Sequence, residues 1–157
     1  MDGIAELRAL RQRLPDIAGV VLASTDGMLI ASDMATGRDS AAGGVEAETV
    51  AALSAASLGL GQRFAATVQQ GRLRETVIQA DGGSVVTYAA GQNGLLTVLA
   101  CPHANLARLH YEARRVAERL GTIVDARAAH PPLPAQPAAP PERPRLARRT
   151  PMATITR

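Results

Sequence analysis

The sequence predicts an α+β domain: a five-stranded antiparallel sheet, one long helix on one face and the two terminal helices on the other, in the order α-β-β-α-β-β-β-α. Three observations predict it. Apolar residues recur at three- and four-residue steps in three stretches, residues 2–14, 45–70 and 106–127. The segments between them are short, rich in Val, Ile and Leu, and broken by Asp-Gly, Gly-Gly and Asn-Gly pairs of the kind that close hairpins. Apolar periodicity then stops and Pro takes over, so residues 1–128 read as one domain and 129–157 as a disordered Pro/Arg-rich tail.

In the first helix Ile4, Leu7, Leu10 and Leu14 share a stripe; Asp2 is a candidate N-cap and Pro15 a stop. Ile17–Ser24 is apolar at both alternating sets, as a strand covered on both faces must be, which assigns it to the middle of the sheet. Thr25-Asp26-Gly27 makes a tight turn and Met28–Ser32 returns beside it. Residues 33–44 are a loop by composition. Beyond the second helix Gly71 is a natural C-cap. Leu73–Ala80 mixes Arg74, Glu75, Thr76 and Gln79 with apolar residues, a pattern suited to an edge strand. Asp81-Gly82-Gly83 turns into Ser84–Ala90, and Gly91-Gln92-Asn93-Gly94 into Leu95–Cys101, a second strand apolar on both sides. Pro102 ends it and Asn105 can cap Leu106–Arg127, where Leu106, Leu109, Ala113, Val116, Leu120 and Val124 oppose Arg108, Glu112, Arg115 and Arg119.

The middle helix, Val45–Gln70, is the unusual one. Val50, Leu53, Ser57, Leu60, Phe64 and Val68 form one stripe, and Ala51, Ser54, Ala55, Leu58, Gln62 and Ala65 the other. No charged residue lies between Thr49 and Gly61, so neither side is marked for solvent. The large stripe suits the chain's own sheet. The small stripe would let a second helix approach closely and is the expected dimer interface.

Composition narrows the function classes. Every cation among the Lys and Arg is Arg, a compositional bias with no functional content. Residues 1–128 hold 12 Arg against 13 Asp and Glu, while residues 129–157 hold 5 Arg against 1 Glu, so the positive charge belongs to the tail. Nucleic-acid binding by the body is therefore not expected. One cysteine, Cys101, excludes an internal disulfide framework, and the charged, amphipathic start does not resemble a signal peptide. No apolar run reaches the ~20 residues needed to span a bilayer, and the expected location is the cytoplasm.

Catalytic and ligand-binding patterns are weak. Cys101-Pro102-His103 with His110 invites a haem or metal reading, but Cys101 ends an apolar strand and a fourth ligand is missing. No G-x-S-x-G surrounds Ser54 or Ser57, no closely spaced carboxylate pair occupies a predicted pocket, and the Gly-rich pieces lack the Lys-Ser/Thr of a phosphate loop. Neither an enzyme nor a cofactor is expected. Arg114 and Arg115 read as a solvated cationic face, with an acidic partner as the alternative. In the tail, Arg148-Arg149-Thr150-Pro151 resembles a basic-directed kinase site, against the simpler reading of a solubilising tail.

The element order from about Gly3 to Arg127 is similar to that of the roadblock/LC7 family. Gly19–Asp33 resembles its first hairpin, with Asp26-Gly27 in the turn, and Gly83–Ala100 with the Arg-bearing helix beyond resembles its closing hairpin and last helix. The likeness is greatest to small actinobacterial members encoded beside a sensor-kinase-like protein and a Ras-like GTPase. It implies a homodimer joined through the central helices and the third strands, adding Arg74, Thr76 and Ile78 to the expected interface. It also implies a non-catalytic adaptor that binds and regulates a small Ras-like GTPase, as scaffold or activating protein in a signalling complex, without lending it an arginine finger. The Pro/Arg tail has no counterpart in the family core. Two other classes fit the same element order: a PAS-like or profilin-like small-molecule sensor and a purely structural interaction module. The sensor would need a pocket with inward polar or aromatic groups, which these aliphatic strands do not advertise.

Overall fold

The computed structural model describes residues 3–35 and 45–129. Asp2 as a cap, most of the loop after the second strand, and the tail with Thr150 lie outside the described residues. The elements run α1 (Gly3–Arg13), β1 (Ile17–Ser24), β2 (Leu29–Met34), α2 (Ala47–Thr67), β3 (Glu75–Ala80), β4 (Gly83–Ala90), β5 (Gly94–Ala100) and α3 (Leu106–Ala129). All five strands form one antiparallel sheet in the order β2-β1-β5-β4-β3. The two strands apolar on both faces, β1 and β5, are indeed interior, and the polar-interrupted β3 is an edge.

Alternation along the strands sends side chains into two separate cores. Val20, Leu22, Val86, Tyr88, Leu96 and Val98 face α1 and α3, where Leu7, Leu10, Leu109, Val116 and Leu120 complete the larger core. Val21, Ala23 and Leu95 face α2. The terminal helices pair as the sequence suggests, with ion pairs between Arg119 and Glu6 at 2.8 Å and between Arg13 and Glu112 at 3.3 Å. Asn105 caps α3: its Oδ1 accepts the Arg108 N–H at 3.0 Å. Gly27 takes φ +88° in the first turn, the left-handed conformation its position demands.

Several boundaries differ from the sequence reading, and three of them matter most. The second strand starts at Leu29 and continues to Met34, with Asp33 held by Arg11 at 3.0 Å, so the polar end of the strand has a partner on α1. The third strand begins at Glu75 and not at Leu73, because the Leu73 N–H donates to Gln62 Oε1 on α2 at 2.9 Å and is taken out of the ladder. The middle helix ends at Thr67, and the left-handed turn begins at Gln69 (φ 59°), ahead of Gly71 (φ 81°).

Candidate self-association surface

The middle helix is turned the opposite way from the expected one. Ala51 and Ser54, assigned above to a partner, are 0% and 4% exposed against the chain's own sheet. Ala55 and Leu58 pack on the same cluster, and Gln62 and Ala65 are half-buried beside them. Conversely Leu53, Leu60 and Phe64, assigned to the sheet, are 67%, 70% and 70% exposed, and Val68 is exposed as well; of the large stripe only Val50 is buried.

The physical reason is distance. At Gly61 an added β-carbon would lie 2.8 Å from Leu73 Cδ2 and 3.2 Å from Thr76 Cγ2, so the helix backbone comes close enough to β3 that only small residues fit there. Gly61 continues the Ser54–Leu58–Ala65 face. A glycine within a helix costs about 1 kcal/mol relative to Ala, and a close backbone approach is what makes it worth keeping. That glycine was the available signal for the sheet-facing side. The absence of charge on both faces hid it.

The outer stripe of α2 adjoins an uncovered part of the sheet. Ile78 is 50% exposed on the α2 side of β3 and Val77 is exposed on the other, so this edge strand is bare on both faces. Between α2 and β3–β4 runs an open apolar groove of about 370 Å³ whose walls include Val50, Leu53, Ile78, Val85 and Leu99. Of the expected strand residues, Thr76 and Ile78 flank this surface, and Arg74 precedes β3 as an exposed residue.

On its α3 side β3 is tied down by a polar network. The Glu75 carboxylate accepts hydrogen bonds from Arg114 Nε at 2.9 Å and Nη2 at 2.7 Å, and lies 3.7 Å from His110 Nδ1. His110 in turn is hydrogen-bonded to the buried Tyr88 hydroxyl at 2.8 Å. Arg114, read from sequence as solvated, is thus a strand-to-helix clamp. Its guanidinium holds the Glu75 carboxyl below the usual carboxylate range, while burial pushes the Tyr88 hydroxyl well above the usual phenol value.

The depressed Glu75 value fixes the sign of a pH effect. Its stabilisation is full above the unfolded-state value of about 4.3 and is lost as pH falls through the lower folded-state value. Glu75→Gln is therefore expected to lower the melting temperature at neutral pH, with the difference from the parent shrinking below about pH 4. Thermal melts of both proteins across that range check it; an unchanged gap at pH 3 would acquit the carboxylate charge.

Among the described residues no cluster of three or more His, Cys, Asp or Glu could hold a metal ion, and no helix is long and apolar enough to cross a membrane. His103 lies 3.6 Å from Asp16, and neither lines the apolar groove.

A five-stranded antiparallel sheet with one helix on one face, two on the other and a bare edge strand defines a roadblock-type domain. The Roadblock/LC7 domain model matches residues 3–100, and the chain belongs to that family. Two uncharacterised proteins of Methanocaldococcus jannaschii are 33% and 32% identical over 104 residues, 66% of this chain and 84% of each relative. The solved Roadblock/LC7 domain from Streptomyces avermitilis superposes with a TM-score of 0.69 at 25% identity, covering 80% of this chain and 99% of that one. The gliding protein MglB from Thermus thermophilus gives 0.69 at 20% identity, covering 80% and 90%, a likeness of fold.

Proposed function

We propose that the chain is a non-catalytic homodimeric adaptor that binds and regulates a small Ras-like GTPase. The observation that carries the reading is the exposed Leu53–Leu60–Phe64 stripe beside the bare edge of β3. An apolar helix face and an unpaired strand edge side by side are what a second copy needs to continue both layers, since bare edges are otherwise blunted by charge or cover. The seam of this proposal is the outer stripe of α2 with Thr76, Val77 and Ile78, in place of Ala51, Ser54 and Ala55. A two-fold axis normal to the sheet sets the C-terminal half of one α2 across from the N-terminal half of the other. Phe64, the chain's single phenylalanine, then faces the partner's groove between α2 and β3.

The GTPase half of the reading rests on family membership and on the absence of a phosphate loop in the sequence. One solved relative of the same fold is MglB with a tetrameric arrangement, which supports self-association. The sensor-kinase-like protein remains a second proposed partner, and the cytoplasm the proposed compartment. A small-molecule sensor would have to use the apolar groove, whose aliphatic walls offer a ligand little hydrogen bonding.

The test mixes the purified protein with Ras-like GTPases of the same genome, each loaded with GTP or GDP. One of them is expected to bind the dimer, with a preference between nucleotide states. Nucleotide turnover by the chain alone, abolished by a substitution within the domain, would overturn the adaptor reading.

A further inference from the structure

Beyond the self-association surface, we infer that the cleft between α3 and the start of β3 docks an acidic segment of a partner protein. The cleft has a volume of about 990 Å³ and is open to solvent, with Tyr88 and Ala117 of the larger core in its lining. Three guanidiniums border it: Arg72 and Arg74 from the segment leading into β3, and Arg114 from α3. β3 begins only at Glu75, so the far end of β4 has no strand beside it. The carbonyl of Gly91, just past β4, accepts instead from Arg72 Nη2 at 2.6 Å.

Donors outnumber acceptors in this cleft. A guanidinium carries five N–H groups. Arg114 gives Nε and Nη2 to Glu75, which leaves Nη1. Arg72 spends one nitrogen on a neutral carbonyl. Arg74 is exposed, and its side chain has no hydrogen bond or ion pair among the described residues. Two carboxylates also line the cleft. Glu75 is taken by Arg114, whereas Glu118, one turn further along α3, forms no ion pair among the described residues. Incoming carboxylates are therefore directed to the Arg72–Arg74 end. Next to Arg114 on α3, the exposed Arg115 stands over the ring of Tyr111, 5.6 Å from its centre, and Tyr111 is itself exposed. Tyrosine and arginine are the side chains enriched where protein partners dock.

Other occupants fit less well. Residues 129–157 carry 5 Arg against 1 Glu, so the chain's own tail is repelled. The apolar stripe proposed for a second copy lies on α2, across the sheet from α3. A flat membrane surface does not enter a cleft, and Glu118 opposes the phosphate track of a nucleic acid.

A fluorescein-labelled peptide of ten glutamates is the probe, titrated with the full chain at low salt and followed by anisotropy. Arg74→Glu is expected to weaken binding at least about fivefold, since it removes an attraction and adds a repulsion. Arg8→Glu makes the same charge change at an exposed residue of α1 and is expected to weaken it less than about twofold. Equal losses for the two, or no binding by the parent, overturn the site. Phe64→Arg, aimed at the proposed dimer and away from the cleft, is expected to bind the peptide as the parent does. A loss there equal to that of Arg74→Glu moves the peptide to the seam and overturns the cleft. Tighter binding of a single-stranded oligonucleotide of ten phosphates, with the same dependence on Arg74, overturns the assignment to a protein.

Discussion

Phe64→Arg is expected to give a folded protein that sediments as a monomer, while Ala51→Arg is expected not to fold. Phe64 is 70% exposed in the single chain, so a charge there changes the stability of the isolated fold by only about half a kcal/mol. At the proposed seam the same change removes an aromatic anchor, worth about 2 kcal/mol or more. It also buries a guanidinium without a partner, at a further cost of about 3 kcal/mol or more. Together these weaken association by on the order of a thousandfold, enough to empty a micromolar dimer. Ala51 has no exposure and sits on Val21, Ala23 and Leu95, where an arginine side chain has neither room nor a counter-charge. Circular dichroism separates folded from unfolded, and sedimentation separates dimer from monomer. An undiminished dimer for Phe64→Arg would mean that water covers the outer stripe.

The second large effect is expected at Gly121. This residue lies where α3 crosses the β4–β5 turn, and a β-carbon there would stand 2.7 Å from the Ala90 carbonyl carbon and 2.8 Å from Gly91 Cα. Both contacts are backbone, and the turn is not free to retreat. The Asp125 carboxylate accepts from the Gln92 N–H at 2.9 Å, the Asn93 N–H at 2.9 Å and Asn93 Nδ2 at 3.0 Å. These donors, the Gln92 N–H foremost, hold the Asp125 carboxyl below its ordinary range and clamp the helix to the turn. Gly121→Val is therefore expected to cost about 3 kcal/mol, a drop of roughly 10 °C in melting temperature for a domain of this size. A melting temperature within about 2 °C of the parent would show that helix and turn separate easily.

What the sequence disclosed follows from which forces write themselves into one dimension. Hairpins are legible because a turn must satisfy local φ: Gly27 at φ +88° and Gly83 at φ +135° stand where the sequence breaks its strands. Strand order was half legible, since a strand apolar on both sides must be interior and one studded with polar residues suits an edge. The facing of α2 was not legible from hydrophobicity. A helix buried on one side by its own sheet and apolar on the other carries no polar face to orient it, and bulk alone points to the wrong side as the core side. The sheet wanted small residues and left the bulk outside. Clamps such as Arg114–Glu75 and Asp125 with the β4–β5 turn join residues 39 and 33 positions apart, a separation at which no local pattern survives.

The chain has no tryptophan and two tyrosines, and the fold treats the pair unequally. Tyr88 is 2% exposed, with its hydroxyl on His110 and its ring edge-on to the imidazole at 5.9 Å; Tyr111 is 61% exposed, with Arg115 over its ring. A fixed, asymmetric surrounding is what gives an aromatic ring near-ultraviolet circular dichroism, and loose packing erases it. The protein therefore carries an optical reporter of its own, placed where α3 meets the sheet and one residue pair from the edge strand. Engineered dyes or tryptophans, which would disturb a core built from aliphatic side chains, are unnecessary for following how that edge responds to a partner.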